Sequence, residues 1–155
     1  MTETIAVLFI FAVLVVFGIV FYYKYQQVAL NEEQQQLLAA RAMDTTLKVL
    51  FLPELICSRA DAEPEDNCAD MLKLRSVNET FSAYLTQYYF ELFSYAKISV
   101  MELYPERQEF VLYDKQKPGF SQIEPTYFVI ALRDEIAGKG QPSYGYGYLK
   151  VEVYE

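Results

Sequence analysis

The chain has 155 residues, a formal net charge of −8, two cysteines and no histidine. Its acidic balance argues against a nucleic-acid partner, because phosphate binding needs clustered lysine and arginine. The absence of histidine removes the most common general base and zinc ligand. The sequence therefore predicts no catalytic residues, no metal site and no cofactor, and an enzyme is the least favoured function class.

An uncharged apolar segment, residues 5–23, lies near the start of the chain. Its length matches the roughly 17–25 apolar residues that cross the hydrocarbon core of a membrane. A secretory signal peptide has a basic start and a small-residue cleavage site, whereas this segment ends in Tyr22, Tyr23 and Lys24, residue types that anchor a helix at the membrane surface. We therefore predict a transmembrane half-helix over residues 1–24 and one extracytoplasmic α+β head over residues 25–155.

The helix is expected to continue beyond the membrane, because residues 24–52 contain no Gly or Pro and are rich in Gln, Leu, Ala and Glu. Pro53 then ends it. Apolar residues recur along this amphipathic half at a helical spacing, which predicts one buried stripe. The members of that stripe are Leu30, Leu37, Ala40, Met43, Leu47 and Leu50.

Cys57 and Cys68 flank a polar, Pro-containing stretch, and we predict that they form a disulfide within an irregular loop over residues 53–75. Two separate buried thiols are the alternative. A disulfide indicates an oxidising, non-cytoplasmic compartment, and the sequon at Asn78, a predicted glycosylation site, points the same way. Lys24 points the other way, since lysine just after a span favours a cytoplasmic location for that side. The acidic residues of the loop lack the spacing of an EF-hand and are read as a solvated surface.

A second helix and a sheet are predicted to follow the loop. Ser76 and Glu79 have the spacing of a capping box, which places the start of the helix there. Its apolar stripe, which should pack on the sheet, consists of Phe81, Leu85, Tyr88 and Leu92. Four segments rich in Val, Ile, Tyr and Phe come next, residues 97–104, 109–113, 126–133 and 144–154. Short links between them favour a four-stranded antiparallel meander, so the predicted fold class is α+β with a long N-terminal helix and a second helix.

Tyr144, Tyr146 and Tyr148 alternate with glycines and should project from one face of the last strand. Tyrosine combines a large contact area with a polar tip, so an exposed row of tyrosines suits contact with a protein surface or a glycan. The alternative is that the row covers a neighbouring loop of the same domain. The sequence leaves these two interpretations open.

Glu3 stands at the start of the apolar helix. A carboxylate there is favoured by the helix dipole, which explains it fully if the residue lies at the membrane surface. If many copies packed their apolar helices together, the carboxylate would be buried and would need a cationic partner, and a neighbouring chain's N-terminal amine could supply it.

The start of the chain, M-T-E-T-I-A-V-L-F-I-F-A-V-L-V-V-F, together with the order of the predicted elements, resembles the type IV pilin superfamily and in particular archaeal pilin-like proteins. The resemblance implies a helix that packs into a filament core and a head that faces outward. It gives Glu3 the role of the acidic residue that pairs with an adjacent subunit's N-terminus, although that residue is usually fifth in the family and is third here. The apolar side chains expected to pack between subunits are Ile5, Phe9, Phe11, Leu14 and Phe17.

Two functions are therefore in competition. The first is a structural subunit that assembles through its N-terminal helix into a surface filament or the pseudopilus of an export machine. The second is a membrane-tethered binding module, alone or in a complex of unlike subunits, that recognises a protein or glycan through its tyrosines. The expected location is a single-pass membrane protein with an extracytoplasmic C-terminal domain, or an extracellular filament. The expected partners are the membrane and further copies of the chain.

Overall fold

The structure is a computed structural model that describes residues 2–58, 64–84, 88–136 and 141–154, with the side chains of residues 2–4 and 78–84 left out. The chain divides into two compact units, Met1–Leu37 and Leu38–Glu155. The helices are α1 (Thr2–Leu50), α2 (Met71–Tyr84) and α3 (Tyr88–Phe93). The strands are β1 (Ile56–Ser58), β2 (Pro64–Asp70), β3 (Ala96–Tyr104), β4 (Gln108–Lys115), β5 (Ile123–Asp134) and β6 (Ser143–Tyr154).

The long helix α1 confirms the prediction of one uninterrupted N-terminal helix. It ends at Leu50, shortly before Pro53, and its last carbonyls accept hydrogen bonds from the amides of Phe51 and Leu52 at 3.2 and 3.1 Å. Lys48 lies in the last turn, where a cation is favoured by the helix dipole, and it pairs with Asp44 at 2.7 Å.

Most of the predicted buried stripe of α1 is wrong, although its member Leu50 is half-buried and packs against the core. The side chains that α1 buries in the second unit are Leu38, Ala42, Thr45, Thr46 and Val49. The predicted residues Met43 and Leu47 are instead exposed. This part of the helix carries apolar side chains on two opposite faces, and the face that packs inward is the one with the smaller side chains. The buried Thr46 hydroxyl is satisfied within the helix, since it donates to the Ala42 carbonyl at 2.7 Å.

The sheet has six strands in the order β1-β2-β5-β6-β3-β4, so the predicted four-stranded meander is wrong in both number and order. The β3–β4 and β5–β6 pairs are antiparallel hairpins, and β6 joins them by pairing antiparallel with β3. Strand β6 takes this central place because its inner face, which includes Leu149, Val151 and Val153, is fully apolar and buried. The pairing of β2 with β5 is parallel.

Residues 64–70 form strand β2, although the sequence predicted an irregular loop there. The strand leads directly into α2, and Asp70 caps that helix by accepting hydrogen bonds from the amides of Leu72 and Lys73 at 2.8 and 3.4 Å. The predicted cap Ser76 lies inside α2, where its hydroxyl donates to the Lys73 carbonyl at 3.0 Å. The predicted start of this helix is therefore about one and a half turns too late. Asp70, and not Ser76, is the residue that caps its first free amide groups.

The core lies between the inner face of the sheet and the helices that cover it. Val49 from α1 lines a common space with Val100, Ile130 and Leu149 from three strands. Helix α3 contributes Tyr89 and Phe93, whereas Tyr88 of the predicted stripe is exposed. The predicted members Phe81 and Leu85 lie outside the described side chains.

Aromatic side chains pack α3 against the β3–β4 hairpin at the edge of the sheet. The Phe93 ring lies 5.6 Å from the Tyr113 ring and 6.1 Å from the Tyr89 ring, centroid to centroid. The Tyr113 hydroxyl donates to the Ser94 carbonyl at 2.5 Å, which satisfies the polar end of an otherwise buried side chain. Each fully buried side chain of this size contributes about 1.5–3 kcal/mol relative to an exposed one.

Candidate functional site

The first candidate surface is the apolar segment at the start of α1. All the predicted assembly side chains that the structure describes there are exposed, between 58 % for Phe17 and 70 % for Phe9. The others are Ile5, Phe11 and Leu14. By length and composition, α1 is a candidate single membrane span. Because burial of one such side chain is worth about 1.5–3 kcal/mol, this segment requires cover from lipid or from other protein chains.

Glu3 and Asn78 both lie in helices, at the start of α1 and within α2. Their side chains are outside the described part of the structure. The assembly role of Glu3 and the glycosylation of Asn78 therefore stay predictions.

The second candidate surface is an exposed apolar stripe near the end of α1, which the sequence did not predict to be exposed. Met43 and Leu47 of α1, and Phe51 directly after its end, are all exposed by more than half of their surface. Met43 and Leu47 lie on the side of the helix opposite to the buried Ala42 and Val49. Spacings of four residues place them one above another along the helix axis. Within the second unit, α1 therefore presents one apolar face to its own sheet and another to the surroundings.

The third candidate surface is the outer face of the sheet, where the predicted tyrosines do share one side of β6. Tyr144 and Tyr146 are exposed and Tyr148 is half-buried. Neighbouring strands extend the row, because Tyr104 of β3 stacks on Tyr146 with ring centroids 5.8 Å apart and Tyr127 of β5 meets Tyr148 edge-on at 5.7 Å. We call these five residues the tyrosine surface. Val129, which pairs with Tyr148 across the strands, is 75 % exposed beside it.

Tyr104 and Tyr127 could not be found from sequence alone, because their place beside the row depends on strand order and register. Alternation in β5 does predict which of its residues share a face. It does not predict that β5 and β3 flank β6 on either side. The predicted row of three tyrosines is therefore the centre of a larger aromatic surface.

The glycines of β6 are required by the approach of β3. A β-carbon on Gly147 would overlap the Met101 carbonyl oxygen, and one on Gly145 would overlap the Tyr104 carbonyl oxygen. The register between β3 and β6 shifts between Glu102 and Tyr104, next to both of these close approaches. The glycines of β6 are thus explained by the close approach of the β3 backbone on the inner face of the sheet, whereas the tyrosines between them contact other aromatic rings on the outer face.

The disulfide between Cys57 and Cys68 is present, which confirms that prediction. Both cysteines are buried, and their Cα atoms are 5.3 Å apart, within the usual range for a disulfide. The bond ties the short edge strand β1 to β2. Lys73 adds a second tie to this region, since its ammonium donates to the carbonyls of Pro53 and Ile56 at 3.0 and 2.7 Å.

Among the described residues, no group of three or more histidine, cysteine, aspartate or glutamate side chains could hold a metal ion. The candidate sites described above are therefore contact surfaces, and the interactions that they offer are burial of apolar side chains and of aromatic rings. No family model, curated protein or solved structure matches the chain.

Proposed function

We propose that this chain is a structural, pilin-like subunit that assembles through α1 into a surface filament or a pseudopilus. The observation that carries the proposal is the second apolar stripe, which consists of Met43 and Leu47 of α1 and of Phe51 directly after it. A bilayer covers about 20 residues of a helix. If residues 5–23 lie in hydrocarbon, lipid does not reach a stripe that begins some twenty residues later. Packing against α1 of neighbouring copies would cover both the stripe and the apolar segment.

In this proposal Glu3 supplies the specificity of assembly. Apolar packing alone allows neighbouring helices to slide, whereas a buried carboxylate has to meet a cation and so fixes one axial position. The resemblance to the pilin superfamily gives this cation as the N-terminal amine of an adjacent subunit. The disulfide supports an extracytoplasmic location for residues 38–155, since such bonds persist in oxidising compartments.

Electron microscopy of sheared cell surfaces and of the purified full chain tests the proposal. We expect ordered fibres from the wild type and none from Glu3→Gln, with membrane insertion of the variant intact. Glu32→Gln is the matched control, because Glu32 is an exposed carboxylate on the same helix. Fibres from Glu3→Gln equal to those of the wild type would contradict the proposed mechanism.

A second pair of variants addresses the stripe itself. Leu47→Gln should abolish or shorten fibres while leaving the thermal unfolding of the head unchanged, because Leu47 contributes nothing to the buried core. Glu33→Gln serves as the control on an exposed polar position of α1. Normal fibres from Leu47→Gln would show that the stripe has no part in assembly.

The competing function is a membrane-anchored binding module that uses the tyrosine surface. The specific observation in its favour is the exposure of Tyr127, Tyr144 and Val129 on an uncovered sheet face. This function requires no fibres and makes Glu3 dispensable. The same electron microscopy therefore separates the two functions.

A further inference from the structure

A cavity of about 260 Å³ lies between α2 and the inner face of the sheet, at the end of the sheet where β6 begins. Its walls combine apolar side chains with several charged ones. The apolar contribution comes from Met71, Pro105 and Leu132. Gly145 also lines the cavity, and with no side chain there β6 does not fill the space.

The charged groups on the cavity wall are unequal in number. Glu102, Glu106 and Asp134 contribute three carboxylates, and Arg75 contributes the one guanidinium. Arg75 is paired with Asp134, since its guanidinium donates a hydrogen bond to the Asp134 carboxylate and forms an ion pair with it at 2.8 Å. Among the residues that the structure describes, the cavity wall therefore carries more negative than positive charge.

Glu102 is the exceptional member of this set. It is only 6 % exposed, and it lies on the inner face of β3 opposite Gly147 of β6. Within the described part of the chain, its carboxylate makes no hydrogen bond and no ion pair. Burial raises the pKa of Glu102, the charge of Arg75 opposes that rise, and Asp134 and Glu106 add to it. Glu102 lines an open cavity, and Arg75, the one described cation in the wall, acts on it through its charge without forming an ion pair with it. Such a carboxylate is suited to a ligand that brings a cation.

The size and walls of the cavity indicate the kind of cation. A water molecule occupies about 30 Å³ of the liquid, so the cavity is several times larger than a site for a single metal ion requires. Apolar walls beside a carboxylate suit an aliphatic stem that ends in a charged head. A planar guanidinium or an ammonium on a short alkyl chain has this shape and charge.

We propose that this cavity binds an alkylguanidinium or alkylammonium group, with the Glu102 carboxylate as its counter-ion and Pro105 beside its stem. Such a group has two sources, a free amine and a lysine or arginine side chain of a second copy of the chain, and the experiments below distinguish them. The proposal is independent of filament assembly.

Nuclear magnetic resonance of methionine methyl groups in the full chain, held in detergent micelles, tests the binding. Met71 lines the cavity, and Met43, exposed on α1, serves as the internal reference. On titration with butylguanidinium chloride we expect a saturable shift of the Met71 methyl signal and none of the Met43 signal. Butylurea, a neutral molecule of similar shape, should produce no such shift. An unmoved Met71 signal, or an equal response to butylurea, would overturn the proposal.

Glu102→Gln should weaken butylguanidinium binding by about tenfold or more, because it removes the charge that pairs with the ligand. Glu109→Gln is the matched control, since Glu109 lies on the neighbouring strand, is exposed and does not line the cavity. If Glu102→Gln fails to fold, Glu106→Gln replaces it, because Glu106 is exposed and its loss should weaken binding by a smaller factor. Unchanged affinity in both cavity variants would overturn the assignment.

Sedimentation of the same micellar samples distinguishes the two sources of the cation. If a side chain of a second copy fills the cavity, butylguanidinium and Glu102→Gln both reduce self-association of the chain. If the ligand is a free amine, self-association is the same in all samples while the Met71 shift persists. Either result agrees with a cation-binding cavity and identifies what fills it.

Discussion

The two parts of α1 carry their apolar side chains in different ways. In the unit Met1–Leu37, apolar residues from Ile5 onward are exposed on every side of the helix. In the unit Leu38–Glu155, the helix buries one face, with Leu38, Ala42 and Val49 among its members. One continuous helix therefore has two environments, one in each unit. Its second part is covered on one face by its own sheet, and its first part requires cover that the chain itself does not provide.

The largest expected effect on stability comes from replacing a buried phenylalanine of the second unit by alanine, compared with the same replacement of an exposed phenylalanine in the first unit. Phe93→Ala removes a ring that is 1 % exposed and packs between Tyr89 and Tyr113, and it should lower the free energy of unfolding by about 3–5 kcal/mol. Phe17→Ala should leave the unfolding of the head within about 0.5 kcal/mol of the wild type, because Phe17 is exposed. Urea unfolding followed by near-ultraviolet circular dichroism measures both. Equal losses in the two variants would contradict the division into a self-packed unit and an uncovered one.

The disulfide should have the next largest effect, and only on the second unit. Replacing Cys57 and Cys68 by serine frees β1 from β2 and should destabilise the head by about 2–4 kcal/mol, since the unfolded chain regains the freedom that the closed loop removes. The same unfolding experiment, with and without a reductant on the wild type, measures the loss. Membrane extraction of the double variant should match that of the wild type. A head as stable without the bond would contradict its structural role.

A pair of glycines gives a smaller and more local contrast. Gly147→Ala places a β-carbon against the Met101 carbonyl and should cost about 1–3 kcal/mol, because the β3 backbone has to move. Gly18→Ala meets nothing within 4 Å, and alanine is favoured over glycine in a helix by about 1 kcal/mol. Thermal unfolding of the head should therefore shift downward for Gly147→Ala alone. A head unaffected by Gly147→Ala would show that β3 and β6 are not so close.

Alkaline pH should produce the smallest effect, again confined to the second unit. Burial raises the pKa of Tyr113 to about 12, with a smaller contribution from Tyr95, against an ordinary value of 10.0. Above about pH 10 the unfolded chain loses this proton while the folded chain keeps it, so stability is complete below that pH and falls as pH rises toward 12. Tyr113→Phe should lessen this decline in unfolding experiments across that range without removing it, because burial also raises the pKa of Tyr89 to about 12. Tyr127→Phe, which alters an exposed ring, should follow the wild-type curve.

Local features of the sequence predicted a large part of this fold. The uninterrupted helix, its end near Pro53, the disulfide and the positions of the last four strands depend on neighbours in the chain. The missed features depend on distant pairings. Strand β2 is held by a parallel pairing with β5, about 60 residues away, which no pattern within PEDNCAD indicates. Strand order fails for the same reason, since short links suggest a meander while the buried face of β6 places it centrally.

The surfaces were predictable to different degrees. Exposure of the apolar segment and the common face of Tyr144 and Tyr146 follow from hydropathy and alternation. The buried face of α1 did not follow, because the helix carries apolar side chains on two opposite faces and the hydropathy pattern alone does not choose between them. The cavity beside Glu102 could not be predicted at all, since it depends on a bulge, on Gly145 and on the position of α2 together.

Cross-linking between copies at Phe17 tests the central claim most directly. The two native cysteines are bonded to each other, so Phe17→Cys introduces the one free thiol of the chain. Oxidation of sheared filament fractions and of isolated membranes should give a covalent dimer for Phe17→Cys, because packed apolar segments bring this position of neighbouring copies together. Val129→Cys, on the exposed sheet face, should remain monomeric under the same conditions. Monomer alone from Phe17→Cys in both fractions would contradict assembly through α1.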